Sequence, residues 1–426
     1  MKIPVLKELM KKDIGFYKNI LSLGLIQVTN FIIPLITFPY LVRTVGIEQY
    51  GVISYGLTII TYLSAFVDFG FMVSATRLVA IYKNDKEKLS YLFSTVTVAR
   101  IVLFLVAAIA LLISGLFVEK VGDHISMYFL GLSMLLSTAI FPLWFFQGIE
   151  QMKYVTYFNI AAKIILIFLL FLVVKSPEDY LYVPGIYGIA NVLTGIYGNW
   201  YVLKNFQLKF TLSKWYDIVG QYKAGLNLFY TNFIVVLLNN SNVIILSIYV
   251  SDALIGSYSF VEKIVFALWQ VLAVFSQATY PILCRLSEES HDKIKRFLAR
   301  TFIPFVVFIA VTCLSISFFA SDIVLLLSGK TNIEATNVLR IMIFTPLIVC
   351  LNIPAYQTQL AYSLTKDNTK IYAVAALLNI TLCTILVRNQ GILGAAISML
   401  IVQTVVTLGL NYVTEIKFRQ YSLFRN

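Results

Sequence analysis

Charge is scarce in this chain. Only 13% of its 426 residues are charged, 59% are hydrophobic, and the mean hydropathy is +0.84. A soluble domain carries about 25% charged residues, so a soluble globular fold is excluded and domains cannot be counted from length. Cysteine and histidine are equally sparse. Cys284, Cys313, Cys350 and Cys383 fall in or beside apolar segments with no CxxC spacing and read as small apolar packers. His124 and His291 lie in different loops and cannot complete a zinc site with scattered cysteines, so no metal and no cofactor is expected. No GxxxxGK[ST] string occurs, which excludes a P-loop ATPase. No loop is long enough for a soluble catalytic domain, so the chain does not read as an enzyme. Met1 to Lys18 is basic but has no short apolar core followed by a small-residue cleavage site, so no removable signal peptide is expected. The net charge of +12 does not signal nucleic acid, because the basic residues are spread over short loops rather than gathered on one module.

What is abundant is apolar runs. A bilayer core needs about 20 apolar residues per helix, and twelve segments qualify: 16–41, 50–76, 90–118, 126–147, 154–174, 182–203, 225–250, 253–283, 297–320, 335–363, 369–388 and 391–414. Threading the 33 Lys and Arg through them puts 24 on the side of the termini, five on the other and four inside. The positive-inside rule then predicts a multi-pass protein with both termini cytoplasmic. The longest inner linker, 204–224, divides a first lobe (1–203) from a second (225–414), with a cytoplasmic tail at 415–426. Within it, Ser213 to Val219 has the pattern of a short amphipathic helix lying on the membrane. The expected fold is an all-α integral membrane protein, with twelve transmembrane helices in two pseudo-symmetric six-helix lobes around a central cavity.

The four cations inside spans are Arg100, Lys163, Lys263 and Arg340. A basic residue near the bilayer centre costs about 3 kcal/mol on insertion scales, so it persists where it faces a protein-lined interior. Such an interior with fixed positive charge suits an anionic passenger. Sliding the chain by 205 residues pairs Gly51 with Gly256, Ser54 with Ser259, Gln27 with Asn232 and Thr37 with Asn242. Ser54, Thr58, Thr61, Ala65 and Asp68 share one helix face in span two; Gln27, Asn30, Pro34 and Thr37 form a stripe in span one. Such stripes serve either as helix–helix glue or as the walls of a cavity between two parallel repeats. Pro34 and Pro39 suit span one to bending.

Specific strings narrow the reading. Pro39-Tyr-Leu-Val-Arg-Thr-Val-Gly46 with Tyr50-Gly51, Asp68-Phe-Gly-Phe with Ser74-Ala-Thr-Arg77, Pro142-Leu-Trp-Phe-Phe-Gln-Gly-Ile-Glu150, Tyr258-Ser-Phe-Val-Glu-Lys263, and Tyr280-Pro281 with Arg285-Leu-Ser287 occur in order along nearly the whole chain. In these the sequence resembles the oligosaccharide repeat-unit flippases (Wzx-type, polysaccharide transporter family) of the multidrug/oligosaccharidyl-lipid/polysaccharide exporter superfamily. The resemblance implies a V-shaped twelve-helix transporter working by alternating access in the bacterial plasma membrane. Its implied substrate is undecaprenyl diphosphate carrying a short oligosaccharide, moved from the inner to the outer leaflet for O-antigen, capsule or exopolysaccharide synthesis. Membrane lipids, a polysaccharide polymerase and a chain-length regulator are the implied partners.

A diphosphate carries about two negative charges and is bound best by Arg and Lys. Lys263, Arg100, Lys163 and Arg340 are therefore the candidate diphosphate contacts, with Arg340 near enough to a helix end to snorkel instead. Thr156, Asn159 and Lys163 share one face. Asn239, Asn242 and Gln270 are candidate sugar contacts, or bonds between helices. Asp68 and Glu262 are candidate ion-coupling carboxylates; the structural alternative for Asp68 is a pair with Arg77 or another nearby base. Glu262 points about 100° from Lys263, so the two need not pair. Arg43 and Glu48 read as structural. The alternatives are a multidrug exporter of the same fold, which would want an acidic cavity, a scramblase or scaffold, and a membrane-embedded polymerase or glycosyltransferase, which would want a large outer loop.

Overall fold

The computed structural model describes residue 29 and residues 32–289, 296–361 and 365–417. Everything described is helix or connecting turn, with no strand among the described residues. Ten helical segments are long and apolar enough to cross a membrane, and each overlaps one of the twelve expected spans: Ile47–Tyr82, Lys86–Ser114, Ile125–Gly148, Met152–Val173, Trp215–Tyr249, Asp252–Tyr280, Arg300–Phe318, Ile333–Cys350, Asn368–Gln390 and Ile392–Ile416. The other two expected spans differ for separate reasons. The first, α1, is described from Ile32 to Val45, with Gln27 and Asn30 outside the described residues. The sixth is a helix, Val183–Asn205, but four glycines and three asparagines dilute its apolarity.

Two compact units divide the chain, residues 1–37 with 56–233, and residues 38–55 with 234–426. The first holds α2 (Ile47–Asp68) from residue 56 onward, α3 (Phe71–Tyr82), α4 (Lys86–Ser114), α5 (Ile125–Ile140), α6 (Leu143–Gly148), α7 (Met152–Val173), α8 (Val183–Asn205) and the start of α9 (Trp215–Tyr249). Its core clusters Phe71, Val79, Phe93, Trp144, Phe145, Phe146, Phe158 and Ile218. α5 and α8 pack closely because small residues face each other: a methyl on Gly188 would lie 1.9 Å from Ser133 Oγ. Ser213 to Val219 is not a separate surface helix. Residues 208–214 are extended or irregular, and Trp215 opens the 35-residue α9, since nothing after Val219 breaks the helix.

That extended stretch is laced onto α4. Lys86 Nζ donates to Gln207 Oε1 at 2.7 Å, Lys209 N to Ser90 Oγ at 3.2 Å and Thr211 N to Ser94 Oγ at 2.9 Å, and Thr95 Oγ1 meets Ser213 Oγ at 2.9 Å. The spacing has a simple cause. Two extended residues advance about 6.6 Å and four helical residues about 6 Å, so alternate amides meet successive turns of one helix face.

The second unit holds α2 up to Tyr55, the rest of α9, and α10 (Asp252–Glu289), α11 (Ile303–Phe318), α12 (Ala320–Ser328), α13 (Ile333–Met342), α14 (Thr345–Cys350), α15 (Ile353–Ala361), α16 (Thr365–Gln390) and α17 (Ile392–Lys417). Here the amino-terminal turns of α2 and α10 cross at glycines. A methyl on Gly51 would lie 1.9 Å from the Asp252 carbonyl oxygen, and one on Gly256 would lie 1.9 Å from that of Ile47. The contact is reciprocal under the 205-residue offset, which carries 47 to 252 and 51 to 256. Arg43 donates Nε to Leu327 O at 3.1 Å and Nη2 to Leu326 O, closing off the carbonyl end of α12 before left-handed Gly329.

Candidate functional site

In the first unit the candidate residues gather at two interrupted helices. α2 stops at Asp68 because Phe69 (φ 45°) and Gly70 (φ 77°) turn left-handed before α3 restarts. Close packing requires glycine there, since a Cβ on Gly70 would lie 2.7 Å from Leu228 Cβ. α5 stops at Ile140 because Phe141 precedes Pro142 and takes an extended conformation (φ −68°, ψ 118°). Midway along α4, Arg100 joins the two breaks. Its Nη2 lies 3.3 Å from Asp68 Oδ1 and its Nη1 donates to the Phe141 carbonyl at 3.2 Å. Arg100 is 5% exposed, and its Nε is buried without a partner. The base that Asp68 meets is therefore Arg100 and not Arg77, which is exposed.

Lys163 on α7 is half-buried, with no carboxylate in ion-pair distance among the described residues. One turn earlier Asn159 presents a buried Oδ1 with no partner, and Thr156 donates to Met152 O at 3.2 Å. The helical spacing sets Asn159 and Lys163 on a common face. A cation and an orphaned acceptor side by side can engage a ligand carrying both acceptors and donors.

In the second unit Lys263 and Glu262 do meet, with Nζ 3.8 Å from Oε2. Their positions, about 100° apart, do not require a pair, but the four-carbon lysine stem spans that angle. Asn242 is 2% exposed, and its amide is engaged inside the protein. It donates to Tyr258 Oη at 2.8 Å and accepts from Asn379 Nδ2 at 2.9 Å, while Asn379 also reaches Ser241 and accepts from Ser398. That network ties α9, α10, α16 and α17. Asn239 and Gln270 are half-buried, and Arg340 is exposed at the end of α13. Thus Arg100 joins Asp68, Lys263 joins Glu262, and Asn242 joins Asn379, each within one unit. The sequence reading overlooked Asn379 and Ser398; an amide inside an apolar run was their signal. It also overlooked Phe141, whose free carbonyl was marked by Pro142.

A multi-pass helical bundle that buries ion pairs and amide networks in apolar segments is the architecture of a membrane transporter. Solved structures share it. An inward-facing multidrug resistance MATE family transporter of the MOP superfamily matches with TM-score 0.69 at 12% identity, covering 92% of this chain and 98% of that one. The lipid II flippase MurJ, in an inward closed conformation, matches with TM-score 0.68 at 14% identity, covering 92% and 87%. At these identities the likeness is one of fold. The chain belongs to the polysaccharide biosynthesis protein family, whose pattern it matches over residues 16–287. Two relatives are each described as "Putative O-antigen transporter". One, from Escherichia coli (strain K12), is 29% identical over 92% of this chain and 94% of its own length. The other, from Shigella dysenteriae, is 25% identical over 92% and 98%. These relatives are named as transporters and not as enzymes.

Proposed function

We propose that this protein is a flippase. It carries undecaprenyl-diphosphate-linked oligosaccharide repeat units from the inner to the outer leaflet of the bacterial plasma membrane by alternating access. The observation that carries this reading is the match, over 92% of the chain, to relatives named as O-antigen transporters, on a fold shared with a lipid II flippase. In this reading twelve helices form two six-helix lobes around a central cavity, with both termini cytoplasmic, as the lysine and arginine distribution favours.

The diphosphate is met by Lys163 and Lys263, with Arg340 at the outer end. Among the described residues Lys163 lacks a carboxylate partner, which leaves its charge available to an anion, and Lys263 has a 3.8 Å contact with Glu262. Arg100 is held by Asp68. A cation or proton arriving at Asp68 weakens that hold and releases the guanidinium toward the diphosphate, which couples the ion gradient to transport; Glu262 is the corresponding carboxylate beside Lys263. Asn239 and Gln270 are the sugar contacts, with Asn242 supporting them from its internal network. The test is flipping of lipid-linked oligosaccharide in proteoliposomes. Lys263→Ala is expected to lower the rate at equal expression, and an ionophore that collapses the gradient to slow the parental protein; parental rates in both would reject the scheme.

A further inference from the structure

A cavity lies in the first unit, and neither Asp68, Arg100 nor Lys163 lines it. It has a volume of about 730 Å³ and opens between the end of α3, the first turns of α4, the laced segment and the first turns of α9. By the lysine distribution this is the cytoplasmic end. The size suits two or three sugar rings, since small-molecule sites span about 300–1,000 Å³.

Three tyrosines wall the cavity, Tyr82, Tyr91 and Tyr216, the last 84% exposed. Between them stand acceptors. Glu87 lines it, as does Asp217, which receives the Tyr91 hydroxyl at 2.5 Å. Gln221 also lines it, and its side-chain oxygen is buried with no hydrogen-bond partner among the described residues. A buried carbonyl without a donor costs free energy, so it marks a place where a donor is missing. The cations do not make this an anion site: Lys88 is neutralised by Asp85 at 3.1 Å, and Lys223 shares the lining with two further carboxylates, Glu87 and Asp217. Flat aromatic faces with surplus hydrogen-bond acceptors, and no surplus positive charge, recognise neutral polyhydroxylated rings. The lacing of residues 207–213 to α4 holds one wall in place before a ligand arrives, and preorganisation of that kind lowers the cost of binding.

We infer that this cavity is a carbohydrate-binding vestibule that takes the glycan portion of the lipid-linked substrate before the diphosphate enters the membrane domain. This rests on the flippase reading above. The test uses the full chain in proteoliposomes, with two probes: lipid-linked repeat unit extracted from the source cells and bare undecaprenyl diphosphate. Two variants spare the internal bonds of the fold. Tyr216→Ala removes an exposed ring, and Gln221→Met removes the orphaned oxygen at similar volume. Each is expected to raise KM for the extracted glycolipid about tenfold, the equivalent of one hydrogen bond or stacking contact, with maximal rate and thermal stability preserved. Tyr216→Phe keeps the ring face and is expected to stay near the parental KM. For bare undecaprenyl diphosphate the variants should match the parent. If the parental protein does not flip the extracted glycolipid, the flippase reading fails. If the parent flips it but both variants stay within twofold in KM, or lose both probes equally, the vestibule is overturned while the flippase stands.

Discussion

Replacing Asp68 with asparagine keeps an oxygen near Arg100 but removes its charge. In the structure the pair is separated by 3.3 Å, with side-chain exposures of 6% for Arg100 and 22% for Asp68. At an effective dielectric of about 20, two unit charges at that distance attract by roughly 5 kcal/mol. Breaking a buried pair from one side costs about 3–5 kcal/mol because the other charge stays behind. Asp68 keeps some exposure, so the lower end applies, about 3 kcal/mol. Among the described residues the guanidinium would retain only the Phe141 carbonyl, since its Nε already lacks a partner there. Equilibrium unfolding in mixed micelles measures this, with Asp68→Asn, Arg100→Met and the double variant forming a cycle. The double variant is expected to recover most of the loss. Transport then separates structure from coupling: a stable double variant whose residual, slower flipping ignores the ion gradient marks the pair as the coupling site. A single Asp68→Asn within about 0.5 kcal/mol of the parent, which is the noise of additive sites, would refute the argument that Arg100 is buried at the expense of this one carboxylate.

Two further outcomes follow from the geometry. Gly51→Ala and Gly256→Ala each place a methyl 1.9 Å from a backbone carbonyl, and relaxing that to a normal contact near 3.3 Å requires α2 and α10 to part by about 1.4 Å. Each is expected to destabilise the protein by about 1–3 kcal/mol; because they press on one crossing, the double variant should cost less than the sum, in the same unfolding assay. The Asp179 carboxylate in the turn before α8 is held below its ordinary value of 3.8 by the amides of Lys175 and Ser176 and by the Ser176 hydroxyl. A depressed carboxylate contributes above its unfolded value and loses that contribution as pH falls through the folded one. The NMR shifts of the Lys175 and Ser176 amides should therefore titrate with a midpoint below the ordinary carboxylate value of 3.8, and Asp179→Asn should abolish the dependence.

The apolar runs were legible because hydropathy is local: ten of the helices stand where their composition put them. Val183–Asn205 shows the limit. Three of its four glycines face α5, and close packing rather than apolarity holds it. The internal cations were legible for the same reason, as charges out of place in oil. Their partners were not. Asp68 and Arg100 are 32 residues apart, and only the left-handed turn at Phe69–Gly70 and the break at Pro142 bring a carboxylate and a carbonyl to one guanidinium. Nor was the cavity beside α3, α4 and α9, assembled from three helix ends and a linker read as carrying a short amphipathic surface helix.

Composition alone made this a multi-pass membrane protein, because the cost of burying charge and the length of an apolar run depend on neighbours in sequence. The family strings added a transporter's identity at the same level. Which charges are compensated, which amides are spent on packing and where open space remains were decided by tertiary structure, since each depends on groups that only the completed helix packing brings within a few ångströms.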